Sequence, residues 1–99
     1  MKIINIKNKN KYALNHKILV SGTVARVVYS KDGSRCRFWI VEDGTNNIIR
    51  CAGSLKINHF DIAQTGDDVR ALVKIKRHKY VKSEKMEIID AVAVELLRD

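Results

Sequence analysis

Proline is absent from this 99-residue chain, cysteine occurs twice, and aromatic residues make up 6%. Each scarcity excludes something. With no proline, the turn signals fall to glycine and its polar neighbours. Cys36 and Cys51 are too few for a disulfide scaffold, and both lie in apolar, strand-like segments where a reduced thiol behaves as a small hydrophobe. No run approaches the roughly 18 apolar residues of a membrane span. Met1 to Lys17 alternates Lys and Asn with scattered apolar residues, so it lacks the apolar stretch of a secretory signal, and a soluble, cytoplasmic protein is expected. Among Cys36, Cys51, His59 and His78 no pair has Cys-x-x-Cys or His-x-x-x-His spacing, so no metal or other cofactor is expected. Catalysis is not expected either: there is no glycine-rich phosphate loop, nucleophile elbow or Cys-His arrangement, and Asp67-Asp68 reads as a chain-reversing turn.

Acids are also scarce relative to bases. Nineteen Lys and Arg stand against 11 Asp and Glu, a formal charge of +8 with a pI near 9.7, which favours a polyanionic partner or an anionic membrane surface without choosing between them. The length allows one domain with one modest core. Residues 1–16 hold Lys2, Lys7, Lys9 and Lys11 with no acid and read as a basic, flexible arm or a fraying terminus ahead of a domain over 17–99.

Within that domain glycines fall at 22, 33, 44, 53 and 66, a regular spacing of turn signals that marks a small sandwich or barrel. The β-rich runs predict strands over Ile18–Ser30, Arg35–Glu42, Asn47–Ala52, Val69–Tyr80 and Met86–Leu97, with Gly22 able to bend or bulge the first. Leu55–Gln64 places Leu55, Phe60 or His59, and Ile62 near one helical face, predicting a short helix. Three strands, a helix and two strands is the element order of the OB-fold, an all-β five-stranded Greek-key barrel with its helix between strands 3 and 4.

Strand 2 carries the most informative pattern. Period-2 geometry puts Arg35, Arg37, Trp39 and Val41 on one face and Cys36, Phe38, Ile40 and Glu42 on the other. The second face is apolar until its last residue. The first presents two guanidinium groups and the only tryptophan, the residue types that hold phosphates and stack bases. A hairpin centred on Gly44-Thr45 pairs Phe38 with Cys51 and Trp39 with Arg50, so that Arg50 extends the basic face. A shifted centre would instead set Cys36 opposite Cys51. The competing arrangement buries Trp39 and Val41 with Phe38 outside, or braces Trp39 on Arg50 without a ligand. It would turn Arg35 and Arg37 into the core, where unpartnered guanidinium groups are costly.

Strand 4 and the loop after it add Lys74, Lys76, Lys79, Tyr80 and Lys82 to the predicted site, alongside Arg70, Arg77, His78 and Lys85. Residues 69–85 carry seven positive charges and one negative, whereas 86–99 carry one positive and four negative. The basic charge is therefore segmental and falls where an OB barrel builds one wall of its groove. Lysines such as Lys74 and Lys85 taken singly are also what a solvated face looks like. Tyr80, and Tyr29 beside Lys31 on the opposite loop, are placed either to stack bases or to plug a barrel end.

Val20-Ser21-Gly22-Thr23-Val24, Cys36-Arg37-Phe38, Gly66-Asp67-Asp68-Val69 and Val92-Ala93-Val94-Glu95 resemble the single-stranded DNA-binding OB proteins of bacteria and phages, including the primosomal replication protein N group. The resemblance spans about residues 17–97 and implies a sequence-tolerant single-stranded DNA-binding module, accessory to replication or to a mobile element's machinery. Glu95-Leu96-Leu97-Arg98-Asp99 departs from the acidic tip of the housekeeping members, so recruitment of partners through such a tail is not expected. The glycine-and-aromatic motif of cold-shock domains is missing as well. Two alternatives stay open from sequence: an RNA-binding OB protein, and an OB subunit that docks on a larger replication or translation enzyme. A homodimer through free strand edges is also compatible with the pattern.

Overall fold

The computed structural model describes residues 12–54, 64–83 and 85–98, the side chains at 54, 97 and 98 excepted. Five strands run β1 Lys17–Tyr29, β2 Arg35–Glu42, β3 Ile48–Ser54, β4 Asp68–Val81 and β5 Met86–Arg98. They close into a barrel in the order β1-β2-β3-β5-β4, with β4 returning to β1. Every pairing is antiparallel except β3 with β5. The helix expected over 55–64 falls on residues 55–63, outside the described residues; among those described there is no α-helix, and so none long and apolar enough to cross a membrane.

Alternation builds the core. Val20 and Val24 of β1, Phe38 and Ile40 of β2, Ile49 and Cys51 of β3, Val69 to Ile75 at every second position of β4, and Ile89, Ala91 and Ala93 of β5 all point inward and are buried. Three small turns fix the registers. In the β1–β2 turn the Asp32 carboxylate accepts hydrogen bonds from Ser30 Oγ, Ser34 N and Ser34 Oγ at 2.7, 3.0 and 2.8 Å. The Ser30 and Ser34 hydrogen bonds hold its pKa down at about 2. In the β2–β3 turn Gly44 and Asn46 take left-handed φ of 81° and 58°, and the resulting register pairs Phe38 with Cys51 and Trp39 with Arg50, as the centring on Gly44-Thr45 requires. Cys36 lies opposite Gly53, and both cysteines are free and buried. The turn into β4 is tied by Asp67, whose carboxylate accepts from Gln64 N at 2.8 Å.

Gly22 is the corner. There β1 leaves β4 and joins β2, pairing with Val69 on one side and Glu42 on the other. A Cβ on Gly22 would lie 2.2 Å from the Val41 carbonyl oxygen and 2.7 Å from Ile40 Cγ2, so only glycine lets the strands approach this closely. The bulge itself comes at Ala25, where the β1–β2 register steps from Val24/Ile40 to Arg26/Trp39.

The described end of the expected arm is packed rather than free. Tyr12 is fully buried, and its hydroxyl donates to the buried Glu42 carboxylate and accepts from Asn47 Nδ2 at 3.1 Å. Glu42 accepts in addition from Thr45 Oγ1 at 2.8 Å. This network explains how an acid can end the inward face of β2: its carboxylate is supplied with donors inside the protein, both on Oε1. The chain then runs along β4, with Asn15 N donating to Ile75 O at 2.7 Å and Ile75 N to His16 O at 2.9 Å. Residues 1–11 lie outside the described residues; Tyr12, ahead of β1, is part of the buried core.

Candidate nucleic-acid interface

On β2 the inward set Cys36, Phe38, Ile40 and Glu42 is buried, while Arg35 and Arg37 are exposed and Trp39 and Val41 half-buried. Trp39 therefore lies on the outer face with the arginines, and the arrangement with Phe38 outside is excluded by its complete burial. Two bulges enlarge that face. Val20, Gly22 and Val24 point inward, so Arg26 is in the inward phase of β1 and an unbulged strand would drive it into the core. The extra residue at Ala25 turns it out instead, and its guanidinium carbon lies over the Trp39 ring, 5.1 Å from the centroid. Such a cation–π contact braces one side of the indole. The same device recurs on β4, where Val69, Ala71, Val73 and Ile75 point inward and the register shifts between Ile75 and Arg77. Lys76 and Arg77 both end up exposed, and His78 returns to the inner side, its Nε2 2.8 Å from the Tyr12 carbonyl oxygen.

Three adjoining hollows, which share Arg26, Arg37, Trp39, Arg50 and Ala52, form a basic groove lined by residues from all five strands. One stretch, about 370 Å³, is lined by Arg37, Arg50, Ala52, Lys76, Arg77 and Asp90 among others. A second, about 460 Å³, continues past Trp39 and Arg35 to Arg26, Val28 and Tyr29. A third joins Trp39 and Arg50 to the apolar side chains of Val41, Ile48, Val81 and Ile88. The groove thus offers a ring, an apolar floor and guanidinium groups side by side. Among the described residues none of Arg35, Arg37 and Lys76 is in an ion pair.

Arg50 is differently placed from the expectation. It sits on the outer face beside Trp39, but its Nε and Nη2 donate to Asp90 Oδ1 and Oδ2 at 2.6 and 2.7 Å. Asp90 Oδ2 also accepts from Arg77 Nε at 2.7 Å. Burial raises the Asp90 pKa, but the hydrogen bonds and charges of the two arginines outweigh it and hold the carboxyl below its ordinary 3.8. Arg50 is therefore held by an acid rather than presented to solvent.

The other expected residues divide by position. Tyr29, 44% exposed, lines the Arg35 end of the groove, and Lys31 is exposed in the adjoining turn. Lys79, Tyr80 and Lys82 are exposed beyond the bulge of β4, outside the lining residues. Lys74 precedes the bulge, between Lys17 and Val92, and flanks the groove. The expected set did not include Arg26 or Asp90, and Arg77 entered only with the basic charge of strand 4. A signal for the two arginines was present: each follows the inward phase of its strand, which a guanidinium group cannot do without a bulge. Among the described residues no group of three or more His, Cys, Asp or Glu is arranged to hold a metal ion.

No family model matches the sequence, and no curated protein matches it. Solved structures do. The small single-stranded DNA-binding protein of Streptomyces coelicolor superposes with a TM-score of 0.65 at 20% identity, over 86% of this chain and 94% of that one. This barrel is an OB-fold. The mitochondrial single-stranded DNA-binding protein Rim1 of S. cerevisiae gives a TM-score of 0.58 at 12% identity, over 83% of this chain and 90% of that one. The resemblance drawn from the strand segments is thus met in the OB-fold these proteins share.

Proposed function

We propose that this OB-fold chain is a sequence-tolerant single-stranded nucleic-acid-binding module, with single-stranded DNA as its ligand, acting as an accessory to replication. The observation that carries the reading is Trp39, half-buried on the outer face between Arg37 on its own strand and Arg26 on the next. A flat ring embedded in guanidinium groups gives a base a surface to stack on while the backbone phosphates meet positive charge. The likeness in fold to two proteins named for binding single-stranded DNA supports the choice of ligand. Arg35, Arg37, Lys76 and Arg77 supply phosphate contacts, and Tyr29 extends the stacking surface toward the β1–β2 turn.

Trp39 is the only tryptophan, so its fluorescence reports directly on this site. Titration with dT oligomers at low salt is expected to quench it in a saturable way, and matched RNA tests the preference for DNA through the 2′-hydroxyl. A chain that leaves the fluorescence unchanged and binds none of these oligomers would contradict the proposal and fit a barrel that docks on another protein.

A further inference from the structure

Asp90 is an acid in the middle of a basic groove, and its position is set by the sheet. In the parallel ladder it lies opposite Arg50 of β3, and in the antiparallel ladder opposite Arg77 of β4. One carboxylate therefore touches arginines on both neighbouring strands. Its side chain is only 11% exposed, against 18% for Arg50 and 64% for Arg77. Arg50 commits both Nε and Nη2 to the carboxylate, whereas the contact from Arg77 is through Nε. Among the described residues the terminal nitrogens of Arg77 make no hydrogen bond, and its side chain lines the same hollow as Arg37 and Lys76.

We propose that Asp90 is a positioning residue of the nucleic-acid groove: it fixes Arg50 as a half-buried strut and orients Arg77, which with Arg37 and Lys76 forms a phosphate subsite. The inference rests on the single-stranded nucleic-acid reading above and names where one backbone phosphate sits. Two guanidinium groups more than neutralise the one carboxylate, so a phosphate approaching Arg77 meets net positive charge. A guanidinium held at Nε keeps its planar fork in a fixed orientation, and less side-chain entropy is lost when the phosphate binds.

The sign of one substitution separates this from a purely electrostatic account. Asp90→Asn removes a negative charge from the groove, so charge alone makes the variant bind dT oligomers more tightly. The positioning role makes it bind more weakly, by about two- to tenfold. Arg77→Ala is expected to weaken binding by a similar factor and to flatten the log–log salt dependence by about 0.7, the loss of one phosphate contact on a single strand. Arg77 is largely exposed, so this variant tests the subsite even if Asp90→Asn compromises the barrel. In the Arg77→Ala background, Asp90→Asn should cause no further weakening, because the residue it orients is gone. Tighter binding by Asp90→Asn, or an Arg77→Ala variant with unchanged affinity and salt dependence, would overturn the proposal while the wild-type chain still bound dT. Failure of the wild type to bind at all would overturn the functional reading and this inference together.

Discussion

Adjacent residues on β2 do opposite jobs, and substitution should separate them. Phe38 is fully buried in the barrel core, while Trp39 lies on its outer face. Phe38→Ala is expected to cost about 3–5 kcal/mol, a large part of what a small domain has, and to show as a marked fall in thermal midpoint. Trp39→Ala should leave the midpoint close to that of the wild type and weaken dT binding by about 1–3 kcal/mol, or about 5- to 150-fold. The two cysteines give a second test. Burial pushes both thiols up, and for Cys51 the neighbouring Cys36 and Asp90 add to the shift. Both should resist alkylation in the native protein at pH 8 and react after denaturation, as mass spectrometry would show. The inward and outward sets of β2 were legible in sequence because a strand has period two and an unpartnered arginine is not tolerated in a core. The role of Asp90 was not, because its partner Arg50 lies 40 residues away across a parallel pairing that no local pattern announces.

The strands themselves were legible to within a residue or two, and so was the β2–β3 register, since Gly44 in a polar turn sets which residues face each other. The bulges were not. An extra residue at Ala25 or Lys76 has no composition of its own, and its only trace is an arginine standing where a valine or isoleucine is due. The inward turn of Tyr12 was equally hidden. It lies in a run of Lys and Asn with no periodicity, and its value comes from Glu42 and Asn47, 30 and 35 residues away. Gly22, by contrast, was visible as a possible bend, and its role as the corner has a sharp consequence. Gly22→Ala would press a methyl group against the Val41 backbone, so the variant should lose about 1–3 kcal/mol or more in denaturant unfolding, with the midpoint falling accordingly.

At the scale of the whole molecule, a charge of +8 is not spread evenly: residues 69–85 carry seven positive charges against one negative, and Lys76 and Arg77 of that stretch line the groove with Arg35 and Arg37 of β2. The groove needs closure of the barrel to exist, because its residues come from all five strands. Sequence could supply the charge and the ring, and the topology of a Greek-key barrel could supply the surface; only the coordinates show that two bulges and one acid bring them together. The central claim is that this surface binds single-stranded nucleic acid through phosphate contacts and a stacked base. Its most direct test is the affinity for a dT oligomer measured across a range of salt concentrations, beside a duplex of the same length. The account predicts a log–log slope of about −3, from four or five contacts at about −0.7 each, and clear preference for the single strand, whose bases are free to stack on Trp39. A slope near zero, or equal affinity for the duplex, would contradict it.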